Sequence, residues 1–490
     1  MSITTDTWTS VQRINYMCIT AHFIDAEWKW HKKIISFVPI QSHKGESITK
    51  ALEICLLDWG VKNIVTITVD NASSNDVVVG LMKSKLMSWG CSAIRASYLH
   101  MRCIAHILSL VVQDGLKMAH SSVMKLRDTV RWIRGSPARL TKFREIFDWL
   151  DIQEKCSLGL DVPTRWNSTY MMLRNAIPYR SAFESYPDRD ASYKADLGDS
   201  LLVDSDWIYL ESFVVILRSF YEMTIRILGS LYVTSNTYLS EISDLSYALT
   251  EMMGSSNATE RNVGGKMKEK FDKYWGDPEK MTMMIFFSSI FDPRDKTVWL
   301  NILLRFSEPS QTQSQSQPQT QPEKCNPIGK VKNQIKSELK KLESGMTKIN
   351  QSELELYLSE PLINDDDDFD ILQWWKMNSA RFPNLSRLAR DVLALPISTV
   401  ASESTFSTSG RVLDSFRSSL TPKIVEALLC MQNWLRGPFE PVSVEEIIEE
   451  LEKFEDELKN LKIGTSSTSK STMSSVASKE TVDLDLDDEL

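Results

Sequence analysis

The feature that most constrains this fold is a change of hydrophobic period inside the first seventy residues. Three runs, SITTDTWTS from Ser2, NYMCITAHFI from Asn15 and WKWHKKIISFVPI from Trp28, are rich in β-branched and aromatic residues and predict an antiparallel three-stranded meander. From Ser47 to Trp59 the period lengthens: Ile48, Leu52, Cys55, Leu56 and Trp59 recur at helical spacing, and Gly60 marks the stop. NIVTITVD then reads as a short, continuously apolar central strand ending in Asp70. With Asp6 inside the first strand and Asp70 closing a neighbour, both carboxylates reach the same edge of one sheet.

Three strands, a helix and a strand are the opening of the RNase H-like topology. The predicted fold class is therefore an α/β RNase H-like core, a mixed sheet with helices, interrupted by a large all-α insertion and followed by a helical C-terminal region. We place the first part of the core at residues 1–116 and the insertion, rich in Leu, Met and aromatic residues, at 117–306. The Gln/Ser/Pro tract SEPSQTQSQSQPQTQPE has nothing apolar to bury, so 307–350 is expected to be a low-complexity linker and helix. Residues 351–437 should hold the last helix of the core and pack back on the sheet. A terminal amphipathic helix is expected at 438–463, where Val444, Ile447, Leu451, Phe454, Leu458 and Leu461 make a short heptad seam, and a disordered acidic tail at 464–490.

At 490 residues there is sequence for two or three domains. No run of about 18 apolar residues is present to cross a bilayer. Seven scattered cysteines without a CxxC pair suggest free thiols in a reducing compartment. The net charge of -9 argues against nucleic acid only superficially. Asp365 to Asp368 with Asp370 carry -5 and the tail -4, so the rest is neutral. Between Lys117 and Arg144 the chain places Lys125, Arg127, Arg131, Arg134 and four further bases against Asp128 alone. That stretch is either a phosphate-contacting surface or the solvated face of a helical pair. Cys103 and His106 supply two ligands where a structural zinc site needs four, so no structural zinc is expected.

TTDTWTS, VDNASSND, MRCIAH, PTRWNSTYMML, FDPR and the block from FDILQWWKMNSARFPNLSRLARDVLALPISTVASESTFSTSGR to LLCMQNWL together resemble plant hAT-superfamily transposases of the RICESLEEPER and DAYSLEEPER type. The resemblance runs from residue 2 to about 436. It implies a DDE triad of Asp6, Asp70 and Glu403, binding two Mg2+ or Mn2+ ions. Two such ions about 4 Å apart would activate a nucleophile and stabilise a leaving 3'-oxygen. It implies that His106 approaches the scissile phosphate, although a buried thiol beside a satisfied histidine would explain the same pair. It also implies that Arg165 and Trp166 meet an unpaired base by stacking, against the simpler reading of a core tryptophan. DNA as partner, a homodimer or higher oligomer formed through the C-terminal region, and nuclear placement follow from the resemblance as well.

Family members carry an N-terminal BED zinc finger, and no Cys-x2-Cys with paired histidines occurs here. Three functions stay open on the sequence. They are a domesticated or truncated, DNA-binding, dimerising nuclear protein; an active cut-and-paste transposase; and a non-catalytic interaction scaffold. Retention of the three acids favours competence over pure scaffold, because clustered carboxylates are costly without a metal.

Overall fold

The computed structural model describes residues 1–10, 12–152, 157–163, 165–227, 232–296, 352–364, 369–412 and 420–435. The linker, the Asp365 to Asp368 run, the heptad seam and the acidic tail anticipated from sequence lie outside the described residues.

Strands β1 (Ser2–Thr9), β2 (Asn15–Ile24) and β3 (Trp30–Ile40) form the meander, followed by α1 (Gly45–Asp58), β4 (Ile67–Val69), α2 (Ser73–Ser88), α3 (Ala93–Ser97) and β5 (His100–Arg102). The sheet runs β3-β2-β1-β4-β5. β1 pairs antiparallel with β2 and parallel with β4, and β4 pairs parallel with β5, so the sheet is mixed. A bulge interrupts the β2–β3 register between Ile19 and Thr20.

Alternation along the strands divides the core in two. Ile3, Met17, Ile19, Ile67 and Val69 pack under Ile48, Leu52, Val78 and Met82 of α1 and α2. Tyr16, Cys18 and Phe37 on the other face meet Phe406, Val425 and Leu429 from far along the chain.

Helices α4 (Ile104–Met118), α5 (His120–Arg134), α6 (Pro137–Trp149), α7 (Trp166–Ala176), α8 (Arg180–Ser185), α9 (Ser192–Leu197), α10 (Asp204–Ile227), α11 (Tyr238–Gly254), α12 (Ala258–Trp275) and α13 (Met283–Ile290) follow β5 without an intervening strand among the described residues. In α4 the apolar face is Ile104, Ile107, Leu108, Val111 and Val112, all buried. Gly115 on this helix lets α12 approach closely, since a Cβ there would sit 2.7 Å from Met267 Sδ.

After the undescribed stretch come α14 (Glu353–Ser359), α15 (Ile371–Asn378), α16 (Pro383–Leu393), α17 (Val400–Val412) and α18 (Pro422–Leu435). The first three join the insertion: Trp375 Nε1 donates to the Phe291 carbonyl at 2.8 Å, and the Tyr357 hydroxyl to that of Ile290 at 2.8 Å. Helices α17 and α18 return to the sheet. α18 also shields the exposed edge of β3, a position that would otherwise invite another strand. Asn433 Oδ1 accepts from Ile34 N (2.9 Å), Glu426 Oε1 accepts from Phe37 N (3.0 Å), and Trp434 Nε1 donates to the Ile34 carbonyl (2.9 Å).

Candidate active site

Each predicted acid lies on the element expected of it. Asp6 is in β1, Asp70 directly follows β4, and Glu403 is in the first turn of α17. The parallel register of Thr4 with Thr68 carries Asp6 and Asp70 to the same end of the sheet. What brings Glu403 there is a set of buried contacts made by the segment before α17. Thr68 Oγ1 donates to the Pro396 carbonyl (2.6 Å), Ile104 N to the Ile397 carbonyl (3.0 Å), and Thr399 N to Cys103 Sγ (3.3 Å). Thr4 and Ser402, both inaccessible, share a hydroxyl hydrogen bond of 3.2 Å. The Thr399 hydroxyl donates to Glu403 Oε1 at 2.9 Å.

His106, in the first turn of α4, stands 3.8 Å from Glu403 Oε1 through Nδ1. Cys103 thus joins two elements through its sulfur while its backbone N–H reaches the Val69 carbonyl at 2.8 Å. Thr399 and Ser402 were not singled out from sequence, because small hydroxyl residues in a Ser/Thr-rich stretch carry no periodic signal of their own.

The electrostatics show that the acids feel one another. Burial, then the Glu403 charge and that of Asp70, push Asp6 up to about 7 against the Thr7 N–H that donates to it. Burial would lower His106, but the Cys103 sulfur and the Glu403 and Asp70 carboxylates outweigh it and push the imidazole up to about 10. No Lys or Arg pairs with Asp6, Asp70 or Glu403 among the described residues.

The donor set of three carboxylates, with no Lys or Arg partner among the described residues, fits a hard divalent ion. Its spacing is not yet a cage: among the described residues no group of three or more His, Cys, Asp or Glu is close enough to hold a metal. Asp70 Oδ1 also accepts from Ala72 N (2.8 Å) and Asn75 Nδ2 (2.5 Å), so this acid shapes the turn into α2 as well as facing the site.

The structure narrows two expectations. Within the basic stretch, Lys125 and Arg127 are committed to partners inside the fold, whereas Lys117, Arg131, Arg134, Lys142 and Arg144 stand exposed. Lys125 meets Asp206 at 2.8 Å, Arg131 meets Asp128 at 2.7 Å, and Arg127, only 8% exposed, grips Asp161 at 2.6 and 2.7 Å. Lys117, Arg139 and Lys142 are likewise paired, with Asp114, Asp196 and Asp190, and Arg134 also has a partner. Trp166 is 5% exposed at the start of α7, so its indole has no free face for a base, whereas Arg165 before it is exposed.

Comparison with known proteins agrees with this architecture. Residues 4–93 match the ZBED1 RNase-like domain and 101–213 the ZBED1 RNase-like helical domain. Residues 236–320 match the hAT-like transposase RNase-H fold, and 353–435 the hAT family C-terminal dimerisation region. Among relatives, RICESLEEPER 2 of Oryza sativa subsp. japonica is 31% identical over 89% of this chain and 65% of its own length. A putative AC transposase of Zea mays is 30% identical over 89% of this chain and 56% of its own length. The chain therefore spans under two thirds of these two relatives. It covers 70% of RICESLEEPER 4 of Oryza sativa subsp. japonica, at 30% identity. With this coverage, a mixed sheet of the RNase H type and a matched dimerisation region, the chain belongs to the hAT transposase family.

Proposed function

We propose that the chain is a nuclear, DNA-binding, dimerising protein derived from a hAT transposase, acting on DNA through the carboxylate end of its sheet. The observation that supports this most is the meeting of Asp6, Asp70, Glu403 and His106, drawn from four separate elements onto one sheet end. Dimerisation is assigned to residues 353–435, the stretch that matches the dimerisation region. Its last helix, α18, buries Val425 and Leu429 against β3 and leaves Ile424, Leu428, Met431 and Leu435 exposed along its outer side.

A second reading, that the site still cleaves DNA, is favoured by the absence, among the described residues, of any Lys or Arg paired with the three acids. In that reading Asp6, Asp70 and Glu403 hold Mg2+ or Mn2+, which when bound supplies an activated nucleophile and stabilises the leaving oxygen. The Thr399 hydroxyl orients Glu403, and the loop of Asn75 and Ala72 orients Asp70. His106 stands 3.8 Å from Glu403, where its imidazole could meet a phosphate oxygen.

The DNA-binding reading is tested by sedimentation of the purified chain together with anisotropy of a labelled duplex over a salt series. A dimer whose log affinity falls linearly with log salt is the expected result. A monomer without measurable affinity would overturn it.

A further inference from the structure

From Ile424 to Leu435 every exposed residue of α18 is apolar. Ile424, Leu428, Met431 and Leu435 are 48, 46, 57 and 77% exposed, and they follow one another at intervals of four, three and four residues. That spacing lines them up on one side of the helix. Val425, Leu429 and Glu426 hold the opposite side to the sheet, so the stripe faces away from it. Four large apolar side chains held together in water are a cost that a partner removes.

Exposed Ala427 and Trp434 continue this surface toward Trp59, which closes α1. The two indoles stack with ring centroids 5.6 Å apart, and each is about half exposed. Each also donates to a carbonyl of β3, Trp59 Nε1 to Ile35 and Trp434 Nε1 to Ile34, both at 2.9 Å. With Asn433 and Glu426 accepting from Ile34 N and Phe37 N, this edge is occupied and a further strand cannot add to it. What the surface offers instead is a helix face flanked by two aromatic rings.

The occupant that fits this face is a second copy of the chain. The matched dimerisation region ends at residue 435, the last of the stripe. The four-three-four spacing reads the same from either end. Two stripes laid antiparallel about a two-fold axis therefore set Ile424 against Leu435 of the partner subunit and Leu428 against Met431 of the partner subunit, each pair twice, as an isologous interface requires. Antiparallel pairing also puts each helix start, with exposed Lys423, beside the partner's helix end, where the dipoles attract. Parallel pairing would bring the two copies of Lys423 together. A helix of 14 residues is about 21 Å long, a short seam beside a standard interface of about 800 Å² per partner, and the tryptophan pair widens it.

We infer that α18 is the seam of a two-fold dimer, its outer face packed antiparallel on the same face of a second copy, with Trp59 of the core at the flank. This rests on the dimer reading above and adds to it the surface, its orientation and a contact outside the matched region.

The test is sedimentation of the full chain over a concentration series for wild type, Leu428→Glu, Met431→Lys, an equimolar mixture of those two, Met377→Glu and Trp59→His, with circular dichroism to show that each is folded. Leu428→Glu and Met431→Lys should each raise the dimer dissociation constant at least tenfold, because each buries a charge against an apolar side chain. Their mixture should dimerise again, since antiparallel pairing sets the new carboxylate against the new ammonium. Met377→Glu, on α15 inside the matched region and 73% exposed, should dimerise as wild type does. Trp59→His should weaken the dimer about tenfold. A dimer that survives Leu428→Glu, or that Met377→Glu abolishes instead, would overturn the seam and leave the dimer reading standing. Loss of the dimer without recovery in the mixture would overturn the antiparallel pairing, and an unchanged constant in Trp59→His would remove the core from the interface. A wild-type monomer at every concentration would overturn both the seam and the dimer reading.

Discussion

Arg127 is where a functional and a structural account of the basic stretch make opposite predictions. Its guanidinium donates through Nε and Nη2 to both oxygens of Asp161, whose side chain is fully inaccessible and also accepts from Thr169 Oγ1 at 2.7 Å. Arg127 is raised above its usual value chiefly by its hydrogen bond with Asp161. Replacing Arg127 by Met leaves a carboxylate enclosed with one neutral donor. Breaking a buried pair from one side costs about 3–5 kcal/mol, whereas removing both charges is nearly neutral. We therefore expect Arg127→Met to lower unfolding stability in urea by about 3–5 kcal/mol, and Arg127→Met with Asp161→Leu to recover most of it, less about 1 kcal/mol for the hydroxyl left on Thr169. Duplex affinity of the folded single variant should be unchanged. A variant as stable as wild type that binds DNA less well and with a shallower salt slope would refute the reasoning and return Arg127 to the DNA surface.

Two further consequences concern the sheet. Asp6 is held above its ordinary value, so the metal-free folded state binds a proton more tightly than the unfolded chain does. Its ionisation costs stability increasingly as pH rises from about 4 to about 7 and by a constant amount above. At roughly 1.4 kcal/mol per pH unit the ceiling is about 4 kcal/mol. Partial exposure of Asp6 brings the expected gain of Asp6→Asn nearer 2 kcal/mol at pH 8, with almost none at pH 4, measured by urea unfolding in chelator. An equal effect at both pH values would contradict the assignment. Glu426 serves both Phe37 N and Ser36 Oγ on the β3 edge, so Glu426→Ala should cost about 1–2 kcal/mol and promote aggregation, read by light scattering on heating. A variant as stable and soluble as wild type would show that the edge is protected by other means.

The meander, α1 and β4 were legible because their sequence periods are unambiguous and each run is bounded by a turn or stop. β5 was not, since three residues, His100 to Arg102, give alternation too little length to register. The placing of Asp6 and Asp70 could be argued from strand order. The approach of Glu403 to His106 depends on Pro396, Ile397 and Thr399 docking on β4 and α4, contacts that span about three hundred residues and leave no local spacing to read. The basic stretch was legible only in part for a related reason: a local charge count cannot see partners 34 to 81 residues away, such as Asp161 for Arg127 and Asp206 for Lys125. The burial of Trp166 was the rival to the stacking reading in the sequence, and its 5% exposure favours that rival.

The central claim is that Asp6, Asp70 and Glu403 act together on DNA. Its most direct test is strand cleavage of a pre-nicked or flanked duplex in Mn2+ by the purified chain, beside Glu403→Gln, which keeps the size and the hydrogen bond from Thr399 while removing the charge. Cleavage by wild type that the single substitution abolishes is the predicted result for a site in use. Cleavage that persists undiminished in Glu403→Gln would contradict the assignment of these carboxylates to one centre.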